Sequence, residues 1–218
     1  MPAPFLPEPL RFPHGVRFPR PDELPRGSPS DALEQVARAK ITTGYCVQDN
    51  LSGAFTSYIE ANVHADEVWK VVRELVAAIL PSIAAPIIGI KDEAPTLGPY
   101  TTREAALEVF EPFVDDLQHD GLLEFGVIFQ HAGGTEEVFV ASVKYIKVWT
   151  SQLSLVRVVL ERHGIPEVPD LEFIDEYPRV SESVGPDGNA RWPAVIEGIK
   201  TAFDTLPDPG ELQWNTAP

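Results

Sequence analysis

The sequence predicts an α+β protein with a mainly antiparallel sheet, and three observations lead there. Apolar and polar residues alternate over several short stretches, the period of a half-buried strand. These stretches come in pairs joined by turn-forming residues, the pattern of hairpins. Each pair is followed by a segment with apolar residues at helical spacing, so helices belong on one side of the sheet. With 218 residues, 44% of them hydrophobic and 23% charged, the chain can bury a sizeable core.

The first 29 residues hold nine of the 22 prolines, which fix φ and remove amide donors, so they form an extended arm. Phe5, Leu6, Phe12, Val16 and Phe18 give it the apolar surface to drape over a domain spanning 30–218. In "SPSD", Ser28 can cap a short helix, Pro29 suits its first position and Asp31 completes a box-like pattern, with the helix running through Arg38.

"KITTGYCVQ" places Ile41, Thr43, Tyr45 and Val47 on one side. After the "DNLSG" turn, "FTSYIEANV" does the same with Phe55, Ser57, Ile59, Ala61 and Val63. Asp66 and Glu67 open a helix at its positive end. Its apolar face is Val68, Trp69, Val72, Leu75, Val76 and Ile79, and Pro81 stops it. "PIIGIK" reads as the next strand, completing a ββαβ half over roughly residues 40–92.

A second half, roughly 121–180, repeats the order. "LLEFGVIFQ" puts Leu123, Phe125, Val127 and Phe129 together. "HAGGTE" is the turn, and "EVFVASVKYIKVW" reads as one long return strand. A helix capped by Thr150 or Ser151 carries Leu155, Val156, Val159 and Leu160, and "HGIP" ends it with Gly and Pro. "LEFIDEYP" then reads as the closing strand. Beyond the "GPDGN" turn, a tail helix over 193–206 presents Val195, Ile196, Ile199 and Phe203.

Between the halves, "TTREAALEVFEPFVDDLQHDG" reads as a helix with Ala106, Val109, Phe110, Phe113 and Leu117 on one side. Glu104, Glu108, Glu111 and Asp115 stack along the other. Pro112 should kink or restart it. The carboxylate stripe is either a solvated face or a surface for a basic partner.

Thirty-three acidic against 17 basic residues give a formal charge of −16. That argues against direct nucleic-acid binding, which needs clustered Lys and Arg, and against anionic membrane surfaces. It favours encounter with a basic protein, or serves solubility alone. Cys46 is the single cysteine, so no intrachain disulfide or thiolate metal cage is expected. No apolar run nears the roughly 20 residues of a membrane span, and the arm lacks a secretory h-region, so a cytoplasmic protein is the simplest expectation.

No P-loop, dinucleotide fingerprint, HExxH or nucleophile elbow occurs. "DDLQHD" gathers Asp115, Asp116, His119 and Asp120, but the other histidines lack metal spacing, so these groups are expected to face water. No cofactor, metal or catalytic residue is therefore assigned. "LEFIDEYP" sets Glu172, Asp175 and Glu176 beside Tyr177. It reads either as a charged strand tip or as a contact surface with Tyr177 and Phe173 as aromatic anchors.

Over residues 143–180, "VKYIKVWT … VLERHGIPEVPDLEFIDEYPRV" resembles the C-terminal half of bacterial immunity-type proteins encoded beside polymorphic toxins. The likeness in style extends over roughly residues 40–180. Such proteins are small, acidic, cytoplasmic and α+β. The resemblance implies a non-enzymatic inhibitor that binds and blocks a cognate toxin domain, often a basic nuclease. The family shares no common interface, so it supplies no site residues. The surfaces expected to meet a basic partner are Glu172, Asp175, Glu176 and Tyr177, and the stripe Glu104, Glu108, Glu111 and Asp115. The alternative is a small-molecule-binding domain with its ligand between the two ββαβ halves, walled by Trp69, Trp149 or Tyr145.

Overall fold

The computed structural model describes residues 7–24, 31–49, 53–184 and 189–210. Phe5, Leu6, Ser28, Pro29 and most of the "GPDGN" turn lie outside that set. Among the described residues, the arm enters through β1 (Val16–Arg17), and a short helix α1 (Ala32–Arg38) leads to the hairpin β2 (Gly44–Asp49) and β3 (Ser57–Asn62). Helix α2 (Val68–Ile79) crosses to β4 (Ile83–Ile90), followed by the short strands β5 (Thr96–Leu97) and β6 (Thr101–Thr102). Helices α3 (Arg103–Glu108) and α4 (Val114–His119) precede β7 (Leu123–His131), β8 (Gly134–Val140) and β9 (Tyr145–Thr150). Helix α5 (Leu153–Arg162), strand β10 (Val180–Ser181) and helix α6 (Trp192–Phe203) complete the order. No helix among the described residues is long and apolar enough to cross a membrane.

The α+β class with a mainly antiparallel sheet is what the chain forms. The sheet has eight strands in the order β2-β3-β9-β8-β7-β4-β5, with β6 also paired to β4. The first half runs ββαβ as expected, but its last strand does not return beside its hairpin. The meander β7-β8-β9 is inserted between β3 and β4, and α2 crosses the face of these inserted strands.

Two details of the second half differ from expectation. The long return strand is instead a hairpin, because Lys144 adopts φ 67° and its amide donates to Ala141 O at 2.8 Å. "LEFIDEYP" is not a strand. Upstream of it, Pro166 and Pro169 deny two amides to any ladder, and that segment meets β2 through Tyr45 N to Pro166 O and Val168 N to Tyr45 O. Ile174–Glu176 then close a 3₁₀ turn. The second half is therefore βββα.

The linking segment breaks where Pro112 requires. A 3₁₀ turn at Glu111–Phe113 separates α3 from α4, so the carboxylates at 104, 108, 111 and 115 do not form one continuous stripe. Helix α3 starts on Thr102, whose hydroxyl accepts from Ala105 N. Helix α5 ends in a Schellman motif: Ile165 N donates to Leu160 O and Gly164 N to Glu161 O, with Gly164 at φ 69°. Only glycine takes that conformation without strain.

Side-chain alternation gives the sheet two faces. On one, cross-strand rows such as Val47–Ile59–Val148–Val138–Val127 and Tyr45–Ala61–Ile146–Val140–Phe125–Ile88 run in register. The apolar sides of α2, α5 and α6 and of the α3–α4 region pack against these rows in the main core. Burying each such Val, Ile or Phe is worth about 1.5–3 kcal/mol.

Besides Ala85 and Ile87, which are buried at its β4 edge, the other face is covered at one end. There Val16, Leu171, Phe173 and Ile174 form a second cluster with Tyr145 and Val143, and Phe12 and Phe18 pack against it. This is how the arm drapes: β1 pairs β10, and Leu10 N and Thr43 N bond across to Ile41 O and Glu8 O. At the junction, Gly15 approaches the Gly121 and Glu182 backbones so closely that a Cβ would collide with both.

Candidate partner-binding surface

The acidic turn at 172–177 is held on the second cluster by Phe173 and Ile174, both buried. Its carboxylates differ in availability. Glu172 accepts from Lys40 N at 2.6 Å and from the Tyr177 hydroxyl at 2.9 Å. Asp175 accepts from the Tyr145 hydroxyl at 3.0 Å. Glu176 is exposed, and among the described residues no side chain bonds to it. Tyr177 is half-buried against Phe18, with ring centroids 6.3 Å apart, and its phenol is pushed up to about 12 by burial and by Glu172. Glu172 and Tyr177 thus brace the turn, while Asp175 and Glu176 present charge to solvent.

The second predicted group lies elsewhere. Glu104, Glu108, Glu111 and Asp115 are all exposed, on helices whose apolar sides belong to the main core. Glu104 pairs with Arg103 at 2.8 Å and Glu111 with Arg73 at 3.4 Å. The turn belongs to the cluster on the opposite face, so the two predicted groups are separate surfaces. "DDLQHD" is also less solvated than expected: Asp116 and Asp120 are buried, and His119 stacks on His14 at 4.1 Å. Burial and His14 lower the His119 pKa. Among the described residues no three His, Cys, Asp or Glu side chains gather to hold a metal.

The sheet face next to the acidic turn carries side chains that a helix-centred reading passes over. One row runs Gln48–Tyr58–Trp149–Glu137–Ile128–Ala85, and the next runs Cys46–Glu60–Lys147–Phe139–Gly126–Ile87. Tyr58 and Trp149 are in contact, with centroids 5.1 Å apart, and the Tyr58 hydroxyl donates to Glu60 at 2.7 Å. Phe139 lies across Gly126, where a Cβ would come within 2.9 Å of its ring. Tyr58, Glu60, Phe139, Glu137, Lys147 and Trp149 are each half-buried. Burial alone pushes the Glu137 carboxyl up to about 7, with no hydrogen bond or cation to offset it. The signal lies in the alternate positions of "TEEVF" and "YIKVWT" that point away from the main core.

No family model matches the chain, and comparison with curated proteins and solved structures found no match. The site therefore rests on its own chemistry. The two halves meet as neighbouring strands, β3 with β9 and β4 with β7. Of the residues expected to wall a ligand there, Trp69 packs in the core on Phe110 and Phe125, and Tyr145 packs tilted against Phe173. Trp149 alone reaches the half-open face.

One buried cation stands apart. Lys144 is sealed from solvent, and its ammonium donates to Leu123 O near Asp120 and Glu124. Burial lowers it to about 7 against the pull of those two carboxylates. Its position closes the end of β7 and offers no approach to a substrate.

Proposed function

We propose that the chain is a non-enzymatic acidic binding protein that neutralises a basic protein partner, a toxin domain. The observation that carries the reading is the exposed pair Asp175 and Glu176 on a turn braced by Tyr177, Glu172 and buried Phe173, in a chain of charge −16. A braced turn presents its charge with little ordering cost on binding. The surrounding negative field speeds encounter with a cationic partner.

Co-expression with the product of the adjacent reading frame tests this. Protection of the host and a co-purifying complex are expected. Glu176→Lys should slow association several-fold at low salt, with the loss shrinking at high salt, because a rim charge acts on encounter. Glu176 is the cleaner substitution, since reversing Asp175 would also remove the acceptor of the Tyr145 hydroxyl. A toxic product that binds and kills regardless of this protein would overturn the proposal.

A further inference from the structure

Resting on that reading, we infer that the half-open sheet face takes an arginine side chain of the protein partner, seated against Glu137 between Trp149 and Ile128. Glu137 stands directly opposite Trp149 on one side and Ile128 on the other, and Trp149 stands opposite Tyr58. Directly opposed residues share a face with Cβ atoms about 5 Å apart. One carboxylate is thereby flanked by the Trp149 indole and the Ile128 side chain, with Tyr58 packed on the far side of Trp149.

Three observations select the occupant. The first is the missing partner: among the described residues nothing donates to the Glu137 carboxylate, and burial lifts its pKa to about 7. A half-buried carboxylate without a counter-charge is unfavourable and is relieved by an incoming cation. The adjacent Glu136 shows the contrast, since it accepts from Ser151 N at 3.0 Å and from the Thr150 hydroxyl.

The second is that the local cations are engaged. Lys147 lies 5.1 Å over the Tyr145 ring, and Arg179 donates to Asp175 O at 3.2 Å. Against these two stand Glu60, Glu137, Asp175 and Glu176. The third is the aromatic pair. A planar guanidinium can stack on indole while its N–H groups reach a carboxylate, which an ammonium does less well. A second copy of this chain, also at −16, is disfavoured as occupant by like charge.

The test uses the full-length ¹⁵N-labelled protein at neutral pH, following the indole N–H and backbone amide resonances. N-acetyl-arginine methylamide should shift the Trp149 indole saturably, in the millimolar range. The neutral isostere N-acetyl-citrulline methylamide should not, and the lysine analogue should bind more weakly than the arginine one. Glu137→Gln should weaken the arginine probe about tenfold, and Trp149→Leu should weaken it as well, both in folded protein. Equal shifts by the citrulline probe, or unchanged affinity in Glu137→Gln, would overturn the inference. Shifts confined to residues 172–177 would overturn it too, yet leave the acidic-surface reading standing. A Trp149 shift that grows with protein concentration alone would assign the face to self-association instead.

Discussion

Glu136 and Glu137 are neighbours in β8, yet alternation sends them to opposite faces of the sheet. Glu136 enters the helix-covered side and is met by the Thr150 hydroxyl and the Ser151 amide. Glu137 enters the half-open side and meets Trp149 and Ile128. Burial raises both carboxyls, but only at Glu136 do hydrogen bonds oppose the shift. One face has every polar demand of its glutamate answered from within the chain. The other leaves a carboxylate to be answered from outside it, which separates a core from a contact surface.

The largest effect expected from this contrast is in packing. Phe125, fully buried on the covered face, should cost about 3–5 kcal/mol when truncated to Ala. Phe139, half-buried across Gly126 on the other face, should cost about 1 kcal/mol. Urea unfolding of both variants checks this, and similar costs would erase the distinction between the faces.

The glutamates should differ in sign. Because the folded-state pKa of Glu137 is raised from 4.5 to about 7, its contribution is undiminished below pH 4.5. Stability is then lost as pH rises through 7. Glu137→Gln should therefore be neutral near pH 4 and stabilising by at most about 3 kcal/mol near pH 8. Glu136→Ala should instead destabilise by about 2 kcal/mol, because it strands the Ser151 amide and the Thr150 hydroxyl. Thermal unfolding at the two pH values distinguishes these outcomes.

A smaller effect concerns the covered end of the second face. Gly15→Ala drives a methyl into the Gly121 and Glu182 backbones, and should cost on the order of 1–2 kcal/mol by lifting β1 from β10. Faster amide exchange at Val16 and Glu182, with the main sheet unaffected, is the expected signature. Unchanged exchange there would show that the arm tolerates the strain.

The covered face was legible in the sequence because its residues obey period 2 in strands and 3.6 in helices, as Ile59, Val127 and Leu75 do. The half-open face was not, since its meaning lies in register. That Glu137 stands beside Trp149 depends on a turn at Ala141–Lys144, where "ASVK" offers no Gly, Asn or Pro to announce it. Leu171, Phe173 and Ile174 were read as a strand because they are apolar, but they serve a second cluster from irregular backbone. The acidic residues beside them were visible. Which of them were already hydrogen-bonded, as Glu172 is to Lys40 N, was a property of the fold.

The most direct measurement is the side-chain carboxyl titration of Glu137 by ¹³C NMR, alone and with the arginine probe. The predicted midpoint is about 7 in the free protein. It should fall by about one unit when a guanidinium occupies the face, since an adjacent cation favours the ionised form. A midpoint near the ordinary glutamate value in the free protein, or one indifferent to saturating probe, would contradict the claim that this face awaits a cation.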